Sequence, residues 1–361
     1  LARTARRAAI FHLGLIAAIG VGVAHAEAPK PGTSAPVAES AHTDAAPFVR
    51  PDVRSYLDRL NANPRPAITR EFIAMARRMP PEMLSAQAMG DRPVGELGEI
   101  RDLVIPGPAG DLRARLFDPR PAGQREPGPA VVFYHGGAFI LGAIETHEGL
   151  AAEIARQLDL PVIAVQYRLA PEHTWPAAPD DAEAAARWIA ENGAAFAREF
   201  SALVLAGDSA GGNLALVTAL ALRDRPAALP VILNMPIYPA TDRSVTYPSG
   251  TLFGEGYGLD IAALPVEEFY RPDVDHWRYS PLRAELAGLA PTVLVTAALD
   301  PLRDEGRAFA AKLVSSGVPT AYHEAKGTIH GFATYRAAIP SAQDDLTAYL
   351  ALARAMLGQS R

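Results

Sequence analysis

The stretch ALVLAGDSAGGNLALVTALALR, residues 202–223, decides the fold. It begins with a continuous apolar run, which is typical of a strand buried on both faces of a parallel sheet. The run ends in Gly207-Asp208-Ser209-Ala210-Gly211, a G-x-S-x-G pentapeptide, and a helical segment follows. Such a tight turn from strand to helix displays its central side chain at the carboxyl end of the sheet. Ser209 is therefore a candidate nucleophile, although the pentapeptide alone also fits a plain glycine turn.

The alternation of strand and helix continues on both sides of this segment. A hairpin-like pair of strands at 100–105 and 112–117 comes first, and strands then alternate with helices to the C-terminus. This order is typical of βαβ units, so we expect an α/β fold with a mostly parallel central sheet flanked by helices. Strands are predicted at 130–134, 161–167, 202–207, 231–238, 292–298 and 320–325, and helices at 146–158, 178–191, 210–223, 306–316 and 341–356.

A serine hydroxyl is a weak nucleophile and needs a base. In serine hydrolases built on such a sheet, the chain order is serine, acid, histidine. Three histidines follow Ser209, namely His276, His323 and His330. His330 lies in the segment Gly327-Thr328-Ile329-His330-Gly331-Phe332, a predicted loop with a glycine on each side of the histidine, just past the last predicted strand. Loops at this position carry functional residues, so His330 is the predicted base. His323 lies within the strand pattern and His276 in an irregular stretch, and they are the alternatives.

The acid is expected after the predicted strand 292–298. Asp300 and Asp304 both follow that strand. Asp300 is closer to the strand end, where the turn can aim it at the histidine. Asp304 fits a cap of the following helix equally well, because acidic residues are favoured at helix N-termini. We therefore predict that Asp300 is the acid, holding one tautomer of the imidazole.

A glycine-rich segment, His135-Gly136-Gly137-Ala138, follows the predicted strand 130–134. Glycine lets backbone amides point into a cavity, since it lacks a Cβ atom. This is also where an oxyanion-binding loop is placed in hydrolases of this kind. The predicted donors are the amides of Gly136, Gly137 and Ala210. His135 precedes the serine in the chain, so we interpret it as a brace for this loop and not as the base.

The composition excludes several kinds of site. The chain has 361 residues, a formal net charge of -6 and no cysteine. Disulfides, thiolate metal sites and cysteine nucleophiles are therefore impossible. The sequence contains no long basic stripe, so nothing in it indicates nucleic-acid binding. The sequence contains neither H-E-x-x-H nor G-x-x-x-x-G-K-[ST], so we expect no metal and no cofactor.

The N-terminal residues have the pattern of a secretory signal peptide. Three arginines precede the apolar run 8–23, which ends at the small-x-small site Ala24-His25-Ala26. We predict a signal peptide at 1–26, a flexible linker rich in Ala and Pro at 27–47, and export to the periplasm or medium. An uncleaved leader that anchors the protein to a membrane is the alternative. The run is shorter than the ~20 residues of a membrane span, so no stable span is expected.

Five motifs, in this order, resemble those of the hormone-sensitive-lipase family of bacterial esterases. The resemblance runs from about residue 95 to the C-terminus, and it implies a hydrolase domain at 48–361 with a cap from about 48–90 and 241–285. It also implies Asp300 as the triad acid and glycine amides as oxyanion donors. Ala138 stands where the family commonly has a third glycine, and its amide is not expected to be a principal donor. The motifs are H-G-G-A at 135–138, Y-R-L-A-P-E-H at 167–173, G-D-S-A-G-G at 207–212, D-P-L-R-D-E-G at 300–306 and H-G-F at 330–332.

The expected function is that of a serine carboxylesterase acting on small esters with short acyl chains. An amidase, a lactonase and a carbohydrate deacetylase remain open, because their chemistry at the carbonyl group is shared. A small-molecule receptor without turnover is a further alternative, since relatives of this fold that lose the histidine bind ligands. The presence of His330 argues against that alternative. The oligomeric state does not follow from the sequence.

Overall fold

The computed structural model describes residues 46–63, 66–121 and 126–359. The predicted signal peptide and nearly all of the predicted linker lie outside the described residues. In the part of the chain that is described, no helix is both long and apolar enough to cross a membrane.

An eight-stranded sheet forms the centre of the molecule, in the order β1-β2-β4-β3-β5-β6-β7-β8. β1 and β2 form the expected hairpin, and β2 pairs antiparallel with β4, whereas the pairs from β4 to β8 are all parallel. The prediction of an α/β fold with a mostly parallel sheet is therefore confirmed. The strands are β1 Glu99–Gly107, β2 Gly110–Asp118, β3 Gly128–Tyr134, β4 Val162–Val165, β5 Phe200–Asp208, β6 Val231–Ile237, β7 Thr292–Leu299 and β8 Thr320–Ile329.

Helices cover both faces of the sheet, because the central strands are apolar on both sides. In β3, for example, Val132 and Tyr134 belong to one buried cluster and Val131 and Phe133 to the other. Helices α5 and α6 pack on the first face, and α1, α4 and α10 on the second. The helices are α1 Pro51–Asn61, α2 Arg70–Ala76, α3 Pro81–Leu84, α4 Ile144–Leu158, α5 Ala177–Glu191, α6 Ala210–Asp224, α7 Pro248–Leu252, α8 Val266–Phe269, α9 Arg303–Ser315 and α10 Ala342–Gln359.

The carboxyl ends of β3, β5, β7 and β8 meet at one edge of the sheet, since these strands are parallel. β8 continues to Ile329, four residues beyond the predicted end at Ala325. The pairing of β7 with β8 shifts register near this point, and the irregularity accommodates Gly327 with a φ of 69°. The sequence predicts that Gly327 begins a loop, but it lies within the strand. As a result His330 directly follows the last strand of the sheet.

Candidate active site

The turn between β5 and α6 holds Ser209 in a strained backbone conformation, with φ 54° and ψ -117°. Its flanking glycines are required by close backbone contacts. A Cβ atom on Gly211 would lie 1.9 Å from the carbonyl oxygen of Tyr134, and one on Gly207 would lie 2.3 Å from the carbonyl oxygen of Gly211. The amide of Ser209 donates to the carbonyl of Ile237 at 2.9 Å, which ties the turn to β6. These contacts push the serine side chain above the edge of the sheet.

The structure brings the three predicted side chains together. The Nε2 atom of His330 lies 2.9 Å from Oγ of Ser209, and its Nδ1 lies 2.7 Å from Oδ2 of Asp300. Asp300 is fully buried, and its other oxygen accepts the amide N–H of Leu302 at 2.8 Å. A carboxylate is an acceptor, so Nδ1 of His330 carries the proton and Nε2 accepts from the serine hydroxyl. The arrangement can take the proton from Ser209 as the hydroxyl attacks an electrophile.

The alternatives named from the sequence lie elsewhere. The ring of His276 is in edge contact with Trp175, at 5.3 Å between centroids, and His323 lies within β8 opposite Val295. Asp304 lies in the first turn of α9, where its carboxylate accepts the amide of Ser249 at 2.9 Å. None of these three side chains has a hydrogen bond to Ser209 in the described residues.

The glycine-rich loop differs from its prediction at one position. The amide of Gly136 donates to Oδ1 of Asp208 at 2.8 Å, so it is already used and cannot bind an oxyanion in this conformation. Within the described chain, the amides of Gly137, Ala138 and Ala210 have no hydrogen-bond acceptor, and all three residues line the cavity beside Ser209. The predicted use of Gly136 as a donor does not fit this conformation, whereas the amide of Ala138, which the sequence did not indicate as a principal donor, lies at the cavity without an acceptor among the described residues. The φ angles of Gly137 and Ala138 are positive, at 121° and 55°, and they reverse the direction of the chain in this loop. The amides of these two residues are thereby turned away from Asp208.

His135 braces this loop, as interpreted from the sequence. Its ring is buried and stacks on Tyr167 at 4.4 Å, and Nδ1 donates to the carbonyl of Gly136 at 2.8 Å. Gln166 donates to Nε2 at 3.1 Å. Burial lowers the pKa of His135 to about 3, so the ring is neutral. It holds the loop and is not positioned to take a proton from Ser209.

Sequence reasoning missed the buried pair formed by His147 and Asp208. Nε2 of His147, on α4, lies 3.3 Å from Oδ1 of Asp208. Burial disfavours the charged form of each group, but the attraction between the two groups, together with hydrogen bonds, outweighs that effect. The pKa of His147 is therefore raised and the pKa of Asp208 is lowered. A single histidine in a helical segment carries no spacing signal. Its partner Asp208 is the variable residue of G-x-S-x-G, and the motif does not indicate that the carboxylate accepts an amide of the loop after β3.

A cavity of about 540 Å³ opens over Ser209 and His330. Its volume is in the range of small-molecule sites, which are typically ~300–1,000 Å³. Both stretches that were expected to form a cap contribute to the lining. Tyr56, Leu60 and Ile68 come from the first, and residues between 258 and 279 from the second. Much of the lining is apolar, so the cavity suits an uncharged organic substrate.

A model of the family described as "alpha/beta hydrolase fold" matches residues 131–334 of this chain. The chain belongs to this family. The resemblance to the hormone-sensitive-lipase type of bacterial esterases is thereby confirmed. The match begins within β3 and ends just after His330, so it includes Ser209, Asp300 and His330, whereas the cavity-lining residues of the N-terminal helices lie outside it.

Curated relatives of this α/β-hydrolase-fold chain carry the names of ester hydrolases. Esterase LipI of Mycobacterium tuberculosis is 36% identical over 272 residues, which cover 74% of this chain and 85% of the relative. The arylesterase of Saccharolobus solfataricus is 36% identical over 256 residues, covering 69% and 81%. The ethyl acetate hydrolase of Pseudomonas putida is 35% identical over 242 residues, covering 65% and 76%.

Solved structures of similar proteins share the architecture. An α/β-hydrolase enzyme from the metagenome of Lake Arreo, Spain, superimposes with a TM-score of 0.77 and 35% identity, covering 86% of this α/β-hydrolase-fold chain and 99% of that chain. An ester hydrolase from the same metagenome, complexed with a derivative of bipyridine phosphonate, gives a TM-score of 0.75 and 34% identity, covering 86% and 100%.

Proposed function

We propose that this protein is a serine carboxylesterase that hydrolyses small esters through an acyl-enzyme formed on Ser209. The observation that carries the proposal is the continuous chain of hydrogen bonds from Ser209 through His330 to Asp300, at 2.9 and 2.7 Å, beside three unused amides. The names of the curated relatives support ester hydrolysis as the chemistry.

The reaction follows from the positions of these groups. Oγ of Ser209 attacks the ester carbonyl carbon, and Nε2 of His330 takes the hydroxyl proton. The negative charge that develops on the carbonyl oxygen accepts hydrogen bonds from the amides of Gly137, Ala138 and Ala210. As the ester C–O bond breaks, His330 returns the proton to the leaving alkoxide, and the alcohol departs.

Water completes the cycle. His330 takes a proton from a water molecule, whose oxygen attacks the acyl-enzyme, and then returns the proton to Oγ of Ser209 as the carboxylic acid leaves. The buried carboxylate of Asp300 stabilises the imidazolium that forms in each half-reaction, without itself taking the proton.

The nucleophile is tested by covalent labelling. Ser209→Ala should abolish stoichiometric labelling by an organophosphonate and reduce kcat on nitrophenyl acetate by about 10⁴-fold or more, because no other residue replaces the attacking oxygen. Ser55→Ala, which changes an exposed serine on α1, is the matched control and should label fully. Labelling that persists in the Ser209→Ala protein, with the modified peptide elsewhere, would contradict the proposal.

For the substrate, we propose esters with short acyl chains. The support is the size of the cavity and the ethyl acetate hydrolase among the relatives. A series of nitrophenyl esters from acetate to palmitate should show the highest kcat/KM at the short end. Fastest hydrolysis of the long-chain esters would overturn this part of the proposal and leave the nucleophile assignment intact.

Amidase, lactonase and carbohydrate deacetylase activities share the same first step. A panel of matched esters, anilides, lactones and acetylated sugars, assayed on the wild type and on His330→Ala, separates them by their kcat/KM values. We expect nitrophenyl esters to be preferred and every activity to fall in the variant.

We also propose that the protein is exported and loses residues 1–26. Mass spectrometry of protein purified from the periplasm or medium should find an N-terminus at Glu27. An intact leader in a membrane fraction would support the anchored alternative.

A further inference from the structure

His147 lies directly beneath the loop that follows β3. Its ring is buried, with an exposure of 4%, and it touches both the carboxylate of Asp208 and the amide of Gly136. Asp208 is also buried, at 3%, and it immediately precedes the nucleophile. Neither side chain takes part in the proton transfers proposed above, although Asp208 adjoins Ser209 in the chain and His147 contacts Asp208.

The contacts of His147 bear on the number of its protons. Oγ1 of Thr146 lies 2.8 Å from the carbonyl of Ala143, which can only accept, so the hydroxyl proton points there. The same oxygen lies 2.7 Å from Nδ1 of His147 and must therefore accept, which requires a proton on Nδ1. On the other side of the ring, Nε2 lies 3.3 Å from both Oδ1 of Asp208 and the amide nitrogen of Gly136, and the shorter contact of that amide, 2.8 Å, is with Oδ1 of Asp208. Among the described residues, no other cation pairs with the buried carboxylate of Asp208, so a second proton on His147 supplies the counter-charge that this carboxylate needs.

Without a counter-charge on His147, the negative charge of Asp208 would oppose catalysis. Its Oδ1 atom accepts the amide of Gly136, which leaves the next two amides of the loop to face the cavity. An uncompensated carboxylate at this place would lie close to the oxygen on which negative charge develops, in a site with little water to screen it. The loop therefore needs the hydrogen-bonding geometry of a carboxylate but not its charge.

We propose that His147 is a positioning residue that remains protonated through the catalytic cycle, cancels the charge of Asp208 and so holds the oxyanion loop in its active form. This inference rests on the proposed esterase function. Its chemistry is electrostatic, so no bond is made or broken at His147. The imidazolium lets Asp208 orient Gly136 without repelling the transition state formed on Ser209.

The other titratable and charged groups around His147 are compatible with this charge. The ring of His135 lies 5.5 Å away and is neutral. Asp91 favours the charge of His147, and its own carboxylate is paired with the guanidinium of Arg336 at 2.7 Å. His330 is separated from this pair by Ser209 and is bonded to Asp300.

The charge state can be measured on the resting enzyme. Long-range ¹⁵N–¹H correlation spectra of the full chain, with its nine histidines, distinguish imidazolium from neutral rings, and His147→Gln assigns the resonance. At pH 8 we expect both nitrogens of His147 to be protonated. In Asp208→Asn we expect the same ring to be neutral, since its carboxylate partner is gone. A neutral His147 at pH 8 in the wild type would overturn the proposal.

Kinetics tests the consequence of that charge. His147→Gln leaves Asp208 uncompensated, so kcat on nitrophenyl acetate should fall about 10- to 100-fold with little change in KM. Adding Asp208→Asn removes the carboxylate charge while retaining an acceptor for Gly136, and it should recover much of that loss. His173→Gln changes an exposed histidine and should match the wild type. Equal kcat values for His147→Gln and the double variant would show that charge cancellation is not the role.

These outcomes are separable from a failure of the esterase proposal. If Ser209→Ala remained active, the function would be wrong, whereas the spectra would still report the charge of His147. If His147→Gln did not fold, the ring that is doubly protonated in the wild type and neutral in Asp208→Asn would identify His147, and the absence of any such ring would overturn the proposal.

Discussion

The carboxyl group of Glu305 lies in surroundings that disfavour its charged form. It is buried in the first turn of α9, with an exposure of 1%, and accepts the amide of Thr241 at 2.7 Å. Burial raises its pKa to about 7, and Arg243 at 3.3 Å offsets that effect in part. Glu305 therefore connects the helix that follows Asp300 to a residue, Arg243, that lines the cavity.

Stability should depend on the protonation of Glu305. Its pKa is higher in the folded than in the unfolded protein, so the folded state binds more protons between about pH 4.5 and 7 and loses stability as the pH rises through that window. Glu305→Gln keeps an acceptor for Thr241 and has no such dependence. The free energy of unfolding of this variant, relative to wild type, should rise by ~3 kcal/mol from pH 4.5 to 7.

Urea unfolding at a series of pH values measures this difference. Glu191→Gln, at the exposed end of α5, is the control and should run parallel to the wild type. Parallel curves for Glu305→Gln as well would contradict the raised pKa.

At the scale of single residues, Ser209, His330 and Asp300 could be predicted from the sequence, because each prediction depends on chain order and on a strand end. Sequence reasoning predicted Gly136 as an oxyanion donor, although the amide of Gly136 is bonded to Asp208, and it missed His147, because both features depend on contacts with Asp208. The contact between Gly136 and Asp208 joins residues 72 positions apart in the chain, and the contact between His147 and Asp208 joins residues 61 positions apart. No local pattern records such a contact.

Among the elements, the turn from β5 to α6 restricts the choice of residue most strongly, because it leaves no room for a Cβ atom at Gly211. Gly211→Ala would place a Cβ atom 1.9 Å from the carbonyl oxygen of Tyr134 at the end of β3, and neither backbone can move without disturbing the sheet. We expect a loss of about 3 kcal/mol or more in the free energy of unfolding, and loss of activity, because overpacking against backbone cannot relax.

Gly358→Ala is the matched control for this substitution. Gly358 lies in α10 with nothing within 4 Å of an added Cβ atom, so alanine there should stabilise the protein by up to about 1 kcal/mol. Thermal unfolding and kcat measured on both variants check the contrast. A Gly211→Ala protein as stable and active as the wild type would show that the turn is not held by this contact.

The alternation of helices and strands was predictable because hydrophobic runs and periodicity record it directly. The short helices α7 and α8 were not, since five and four residues are too few to show a helical period. The true end of β8 was missed because Gly327 has the local signature of a loop.

Across the whole molecule, a buried ion pair joins the segment before β1 to the segment between β8 and α10. The guanidinium of Arg336, 1% exposed, donates to both oxygens of Asp91, which is fully buried, at 2.7 Å each. The amides of Ala337 and Ala338 donate to the carbonyl of Gly90. The chain leading from α3 is thereby fixed beside the loop that carries His330.

Asp91→Ala should cost about 3–5 kcal/mol of stability, because it leaves a buried guanidinium whose remaining carboxylate partner, Glu153, is 4.0 Å away. Replacing both partners, as in Asp91→Ala with Arg336→Met, should cost much less than that, since no buried charge remains. Denaturant midpoints of the single and double variants test the pair. A double variant at least as unstable as Asp91→Ala would indicate that packing, and not charge, is what the pair provides. The sequence could not reveal this connection, since its partners are 245 positions apart.

The contact between Gly211 and the carbonyl of Tyr134 also bears on how such an enzyme can diverge. The spacing between Ser209 and the loop after β3 is set by a contact of main chain with main chain, so we expect most side-chain replacements to leave it unchanged. The lining of the cavity, by contrast, comes partly from stretches outside the sheet, in the N-terminal residues and between β6 and β7. Mutation can therefore explore new substrates there while the reaction centre keeps its dimensions, and libraries meant to change selectivity are best confined to those two stretches.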